Sequence, residues 1–162
     1  MSEELREVLA GWGVPPLAIV AILSAAPISE VRGGIPAGCI LGLPIWQILA
    51  VAIPCNVLAV MPIILWFEPM YEYFKDKPVV GRVFEWVLRR ARKREDLVKK
   101  YGVFALTMFV ALPLPITGAW TGSVIASVFN FGFWRSVVCV TLGVCIASTI
   151  MTLVCMGVIS LW

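Results

Sequence analysis

The chain contains no histidine, and only 14% of its 162 residues are charged. The missing imidazole excludes histidine from catalysis, metal binding and proton relay. None of the five cysteines belongs to a C-x-x-C pair, so a zinc site, haem attachment and a redox dithiol all lack support. The apolar parts hold no paired carboxylates and no nucleophile beside a base. We therefore expect no enzyme activity, no metal and no cofactor.

What the chain has in abundance is apolar surface. Hydrophobic residues make up 60% of it and its mean hydropathy is +0.95. A soluble domain is usually about a quarter charged, and disordered, collagenous and disulfide-rich chains are excluded by the same numbers. The composition predicts an all-α integral membrane protein, with residues 1–162 forming one membrane domain. The acidic N-terminus lacks the basic region of a cleaved signal peptide, so we expect it to be retained.

Most charges lie in one central block, residues 68–100, which holds ten Lys/Arg and six Asp/Glu. The positive-inside bias places this block in the cytoplasm. Within it, apolar residues recur at helical spacing from Val80 to Ala91, opposite a basic face. This pattern predicts an amphipathic helix on the anionic leaflet, or a solvated topology signal without lipid contact. Nucleic acid is not an expected partner.

Four uncharged runs flank this block and set the number of membrane crossings. A perpendicular helix needs about 20 residues to cross the hydrocarbon, whereas the two middle runs hold 35 and 34. They are too long for one span and too short for two. The runs are Val8–Ser29, Gly33–Phe67, Tyr101–Trp134 and Ser136–Trp162.

Proline and glycine interrupt the apolar sequence at Pro27–Pro36 and at Pro113–Gly118. We predict that neither Arg-Gly-Gly-Ile-Pro nor Pro-Leu-Pro continues a helix. Irregular backbone at membrane depth is tolerated only when it is buried in protein or lines a wet cavity. The sequence therefore predicts two re-entrant hairpins, each followed by a span. The hairpins cover about 14–43, with a tip near Glu30, and 102–129, with a tip near Thr117; the spans are Ile45–Phe67 and Phe133–Leu161.

The two halves resemble each other in the positions of certain proline, glycine and tryptophan residues, at offsets that range from 84 to 88 residues. A hairpin plus one span crosses the membrane once, so a second copy must be inverted, as in secondary transporters with broken helices. We predict repeat 1 at about 14–67, the cytoplasmic linker at 68–100 and repeat 2 at 101–162. Four plain spans are the alternative. The matched pairs are Pro27 with Pro113, Gly34-x-x-x-Gly38 with Gly118-x-x-x-Gly122, and Trp46 with Trp134.

Two charges, Glu30 and Arg32, interrupt the apolar sequence at the first tip. An ionised side chain at the bilayer centre costs about 2.5–3.5 kcal/mol on insertion scales. The pair either neutralises itself, lies at the interface, or serves function. In the functional interpretation, Arg32 offers a planar fork to a phosphate and Glu30 is a carboxylate suited to proton coupling.

The remaining candidates for substrate binding or coupling are small, hydroxylated or aromatic residues of the two tips, together with one arginine. Glycines at the tips serve either close helix packing or anion contact through backbone N–H groups. Arg135, beside Trp134, is either an interfacial anchor or a ligand contact. The full set beyond Glu30 and Arg32 is Gly33, Gly34, Pro36, Pro113, Pro115, Thr117, Gly118, Trp120, Thr121 and Arg135.

These motifs give the chain a family resemblance. With P-I-S-E-V-R-G-G-I-P-A-G at Pro27–Gly38, Y-G-V-F-A-L at Tyr101–Leu106 and P-L-P-I-T-G-A-W-T-G-S at Pro113–Ser123, it resembles the small multidrug export family, a branch near the DedA membrane proteins. The resemblance implies two re-entrant loops that face each other, and movement of polyprenyl phosphate or phospholipid. The chain departs from DedA proteins in lacking an arginine at its second tip.

Three functions follow as hypotheses. The first is a transporter, flippase- or scramblase-like and proton-coupled, that moves a lipid or polyprenyl-phosphate-type anionic amphiphile. The alternative is a proton-coupled exporter of small hydrophobic cations, and the second alternative is a structural or assembly factor that transports nothing. The expected location is the cell membrane, in several passes. Expected partners are membrane lipids, with an anionic lipid phosphate as substrate, and homo-oligomerisation is left open.

Overall fold

The computed structural model describes residues 11, 13–74, 89, 101–112 and 118–160. Throughout these residues the regular secondary structure is helical, which confirms the all-α prediction. The predicted amphipathic helix at Val80–Ala91 lies outside the described residues, apart from Arg89, which is helical and exposed. The helices of the described part are α1 (Pro16–Ala25), α2 (Glu30–Ile40), α3 (Ile45–Phe74), α4 (Val103–Ala111), α5 (Ala119–Val128) and α6 (Phe133–Ser160).

The two long helices, α3 and α6, contain the apolar stretches Ile45–Phe67 and Phe133–Gly157, each long enough to cross a membrane. At 1.5 Å per residue, 23 residues span about 34 Å, compared with a hydrocarbon core of about 30 Å. Most residues of each stretch are not buried inside the protein, unlike those of a soluble core helix. Both predicted spans are confirmed as helices with the predicted first residues.

The four short helices are 9 to 11 residues long. Each is about 15 Å in length, about half of what a crossing needs. Helix α1 packs on α2 to form the first hairpin, and α4 packs on α5 to form the second hairpin. The first hairpin breaks at residues 26–29. In the second, α4 ends at Ala111 and α5 begins at Ala119, and residues 113–117 lie outside the described residues.

The prediction that Arg32–Pro36 cannot continue a helix is wrong, because this segment lies inside α2. Pro36 is the seventh residue of α2 and removes the helical hydrogen bond to the carbonyl of Arg32. Membrane helices tolerate proline because neighbouring groups satisfy the backbone groups that it releases. Pro54 and Pro62 likewise lie inside α3. The first break therefore precedes the glycines instead of containing them.

A tight turn with two characteristic hydrogen bonds ends α2 and leads into α3. The N–H of Gly42 donates to the carbonyl of Cys39 at 3.1 Å, and that of Leu43 donates to the carbonyl of Gly38 at 3.0 Å. This is the Schellman arrangement, whose central residue has a left-handed conformation. Gly42 adopts it with φ of +74°, which a residue without Cβ does at little cost.

The same turn ends α5 and leads into α6. Asn130 donates to the carbonyl of Ser127 at 3.0 Å, and Phe131 donates to that of Ala126 at 3.1 Å. Asn130 has φ of +51°, and asparagine is the residue that most often replaces glycine here. Gly42 and Asn130 are 88 positions apart, as are Ile45 and Phe133 at the starts of α3 and α6. The order of elements therefore occurs twice.

The chain divides into two compact units. The first unit contains α1, α2, α3 as far as Ala59 and α6 from Val144. The second unit contains the rest of α3, α4, α5 and α6 as far as Gly143. The core of the first includes Val20, Val31, Ile35 and Ile48, and that of the second includes Leu106, Val110, Ile125 and Val140, all 2% exposed or less.

Candidate functional site

The first hairpin presents a polar, charged end where α1 stops and α2 begins. Two carbonyls of the last turn of α1 accept side-chain hydrogen bonds. The hydroxyl of Ser29 donates to the carbonyl of Leu23, and Nδ2 of Asn56 in α3 donates to the carbonyl of Ser24 at 2.9 Å. Carbonyls at a helix end have no donor within their own helix. These two side chains therefore hold the break in a fixed conformation.

Glu30 is the first residue of α2 and is both buried and strained. Its side chain is 5% exposed, and its φ of +52° lies in the left-handed region. A branched or long residue reaches this conformation at a cost of about 1–3 kcal/mol, and such residues cluster at functional sites. The position at a helix N-terminus favours the carboxylate, because the helix dipole is positive there.

Arg32 lies two residues further along α2 and is half-buried. Its charge interacts electrostatically with that of Glu30, which opposes the cost of burying the guanidinium. Because Glu30 is buried and Arg32 is only half-buried, Arg32 is the more accessible of the two charges. The sequence placed both charges at the tip, and the structure brings them together at the start of one helix.

The neighbouring glycines allow α2 to approach the preceding residues closely. A Cβ at Gly34 would lie 2.0 Å from Oγ of Ser24 and 3.0 Å from the carbonyl oxygen of Val20, both in α1. A Cβ at Gly33 would lie 2.6 Å from Cβ of Ser29. These distances are those of close helix packing, and anion contact through the backbone N–H groups stays a prediction. Pro36 follows in the same helix and is half-buried.

The candidates of the second half lie in the second unit. Gly118 is the buried residue before α5, and Trp120 and Thr121 are half-buried in its first turn. Arg135 is exposed in the first turn of α6, as an interfacial anchor would be. The predicted residues Pro113, Pro115 and Thr117 lie outside the described residues.

Sequence reasoning missed two fully buried polar side chains of the first unit, Ser24 and Asn56. They are 32 residues apart and meet only through the fold. Asn56 carried a usable signal, because it is an amide in the interior of the apolar stretch Ile45–Phe67. Polar side chains inside membrane helices are rare and mark functional sites by default.

The described residues contain no group of three or more Cys, Asp or Glu side chains placed to hold a metal ion. All five cysteines are free and half-buried. The thiols of Cys39 in α2 and Cys155 in α6 are neighbours within the first unit. This contact joins the first hairpin to the last helix.

The composition, the two long apolar helices and the charged pair on an otherwise apolar hairpin define a helical membrane protein. The family model described as "Putative small multi-drug export protein" matches residues 30–150, well over half of the chain. The chain belongs to this family, which confirms the resemblance to small multidrug export proteins. Searches of curated proteins and of solved structures return no significant match. The relation to DedA proteins stays a prediction.

Proposed function

We propose that this protein is a membrane exporter whose substrate is held at the charged end of the first hairpin. The substrate class is an anionic amphiphile, a lipid phosphate or a polyprenyl-phosphate-type molecule, bound by Arg32. The observation that carries the proposal is Glu30, a buried and strained carboxylate beside a half-buried guanidinium. The family's description as exporters supports the general activity.

The strain at Glu30 supports a functional role over a purely structural one. A glycine would adopt φ of +52° without cost, and an apolar residue elsewhere in the turn would avoid a buried charge. A glutamate at this position is therefore less stabilising than a glycine in the turn and less stabilising than an apolar residue in the interior. Its presence is explained when the carboxylate holds Arg32 in place or carries a proton.

The accessibility of Glu30 and Arg32 favours one charge for the substrate over the other. Of the two charges, the guanidinium is the one that a ligand reaches, since Glu30 is 5% exposed and Arg32 is half-buried. A guanidinium binds phosphate with two parallel hydrogen bonds. An anionic head group therefore fits the site better than a cation does.

The second candidate function is proton-coupled export of small hydrophobic cations. The family's description as multi-drug exporters supports drug export in general. Glu30 is the one carboxylate between the N-terminal residues and the central block. In this mechanism the substrate cation and the proton compete for Glu30, and Arg32 must move away when the cation binds. The nearby guanidinium makes this the second choice.

The test measures transport in vesicles that contain the purified full-length protein. We expect Arg32→Gln to abolish movement of a fluorescent phospholipid or polyprenyl phosphate, and Arg32→Lys to restore it only partly, because an ammonium lacks the two-pronged contact. Arg89→Gln is the matched control, an exposed arginine outside the apolar runs. Unchanged lipid movement in Arg32→Gln contradicts the proposed substrate.

Two further variants separate the remaining functions. Export of a fluorescent cation that is lost in Glu30→Gln but kept in Arg32→Gln supports the cation exporter. If the pair only neutralises itself, each single change lowers the melting temperature because one buried charge loses its partner. The double variant Glu30→Gln with Arg32→Gln then restores both stability and transport, which contradicts a ligand site.

The proposed architecture has both hairpins entering the membrane without crossing it, in two inverted repeats, with residues 68–100 in the cytoplasm. Its support is that each arm is about half a crossing long. With two spans, both termini are external. A single cysteine at Ser2, in a cysteine-free background, should react with an impermeant reagent from outside the cell. Labelling only from the cytoplasm contradicts this topology.

A further inference from the structure

Two oxygen atoms buried in the first unit have no hydrogen-bond partner, Oγ of Ser24 and Oδ1 of Asn56. Both side chains are completely inaccessible to solvent. Their residues are already joined, since Nδ2 of Asn56 donates to the carbonyl of Ser24 at 2.9 Å. The amide group of Asn56 is therefore fixed at the last turn of α1.

Oxygens buried without partners destabilise the folded protein, because a polar atom that loses its hydrogen bonds to water gains none in return. A serine inside a helix usually avoids the cost by donating to the carbonyl four residues earlier, here that of Val20. The hydroxyl of Ser24 does not, although it and the carbonyl of Val20 both lie beside Gly34. An alanine at position 24 would remove the cost entirely.

The chemistry of the two atoms determines what they bind. An amide oxygen only accepts hydrogen bonds, and a hydroxyl oxygen has two acceptor lone pairs. The last turn of α1 adds the negative end of a helix dipole. The ligand must therefore carry positive charge or donate hydrogen bonds.

Neutral oxygens favour a single positive charge. A divalent cation such as Ca²⁺ is usually held with the help of carboxylates. The two atoms here come from an amide and a hydroxyl. In transporters with broken helices, backbone carbonyls and the C-terminal ends of half-helices coordinate Na⁺. Ser24 is next to the last residue of α1, which is such a half-length helix.

We propose that Oγ of Ser24 and Oδ1 of Asn56 bind a sodium ion at the C-terminal end of α1. The site is separate from the substrate contact at Arg32 and stands whether or not that contact is correct. Nδ2 of Asn56 orients the amide so that its oxygen serves as ligand. Gly34 leaves the space that the hydroxyl occupies, because a Cβ there would lie 2.0 Å from it.

The experiment measures binding without transport. Purified full-length protein in detergent is melted in choline chloride, KCl and NaCl at constant ionic strength. We expect the melting temperature to rise with NaCl and to saturate, since a ligand of the folded state stabilises by RT ln(1 + [L]/Kd). Direct binding of radioactive ²²Na⁺ to the same protein should saturate over the same concentrations.

The variants locate the site. Ser24→Ala removes only the hydroxyl, and we expect a loss of at least tenfold in Na⁺ affinity while the protein stays folded. Asn56→Leu should abolish binding. Ser123→Ala is the matched control, because Ser123 in the second unit is equally buried and its hydroxyl also has no partner; it should keep the sodium response.

Three results would overturn the proposal. Equal melting temperatures in the three salts mean that a water molecule or nothing satisfies the oxygens. A sodium response that survives in both Ser24→Ala and Asn56→Leu places the ion elsewhere. If Asn56→Leu does not fold, unchanged ²²Na⁺ binding in Ser24→Ala is sufficient to reject the site.

Discussion

The first and second hairpins share a packing frame but differ in their chemistry. In each, a glycine of the second arm lies against the first arm: Gly34 faces the hydroxyl of Ser24, whereas Gly122 faces a methyl group of Val110. The first hairpin carries a charged pair, whereas residues 101–134 carry no charge at all. The comparison shows that two helical hairpins with similar close packing differ in polarity, because the charged pair belongs to the first.

The largest expected effect contrasts two non-glycine residues with left-handed backbone, Glu30 and Asn130. Glu30→Gly should relieve backbone strain of about 1–3 kcal/mol and keep the melting temperature within a few degrees. We expect it to reduce transport at least tenfold, because the carboxylate is lost. Asn130→Gly, which makes the same backbone change at a turn, should leave transport in vesicles unchanged. Full transport by Glu30→Gly would remove the functional explanation of the strain.

The second prediction contrasts the two glycine contacts. Gly34→Ala should destabilise by about 1–3 kcal/mol through overpacking, because its Cβ meets the backbone carbonyl of Val20 as well as Ser24. A Cβ at Gly122 would meet side-chain atoms only. Val110→Ala should therefore restore most of the stability that Gly122→Ala loses. Ser24→Ala should rescue Gly34→Ala only in part. Thermal unfolding in detergent measures each change, and equal rescue in both hairpins contradicts the difference.

A smaller effect concerns the turn that both halves share. Gly42→Ala should destabilise by about 1 kcal/mol, because alanine is strained at positive φ. Gly42→Asn should be milder, since the second half already uses Asn130 at the same turn position. The melting temperatures of the two variants test this. If alanine and asparagine are equivalent at this position, the turns are not matched as the hydrogen bonds indicate.

The last prediction tests a contact and does not depend on a change in stability. Cys39 and Cys155 are neighbours, so a mild oxidant such as copper phenanthroline should join them in a disulfide, with their two thiol protons and two electrons passing to the oxidant. Gel mobility after cleavage between residues 39 and 155 reports the bond, and Cys39→Ser is the control. No cross-link in the folded protein contradicts the contact of α2 with α6.

Sequence reasoning found the long helices because physical boundaries mark them. Pro44 and Gly132 each precede an apolar stretch of spanning length, and both predicted first residues were correct. It failed inside α2, because the rule that proline ends a helix holds best in water. Pro36 continues the helix where protein neighbours replace the solvent.

The sequence and the structure pair the glycines of the two halves differently, and the inverted repeat itself stays a prediction. The sequence matched Gly34 with Gly118, whereas the structure matches Gly34 with Gly122 at the same 88-residue offset as the turns. The meeting of Ser24 with Asn56 and the left-handed backbone of Glu30 depend on tertiary contacts, so no local pattern indicated them.

The half-length arms have a consequence for how the protein is made. Helix α1 and helix α2 leave the ribosome before α3, and each is about 15 Å long, whereas the hydrocarbon layer is about 30 Å thick. Neither arm can be released into lipid alone, because its ends would expose backbone groups without hydrogen bonds. The donor that satisfies the carbonyl of Ser24 belongs to Asn56 in α3. We therefore expect the first hairpin to wait at the insertion machinery until α3 arrives, so that membrane integration and folding occur as one step.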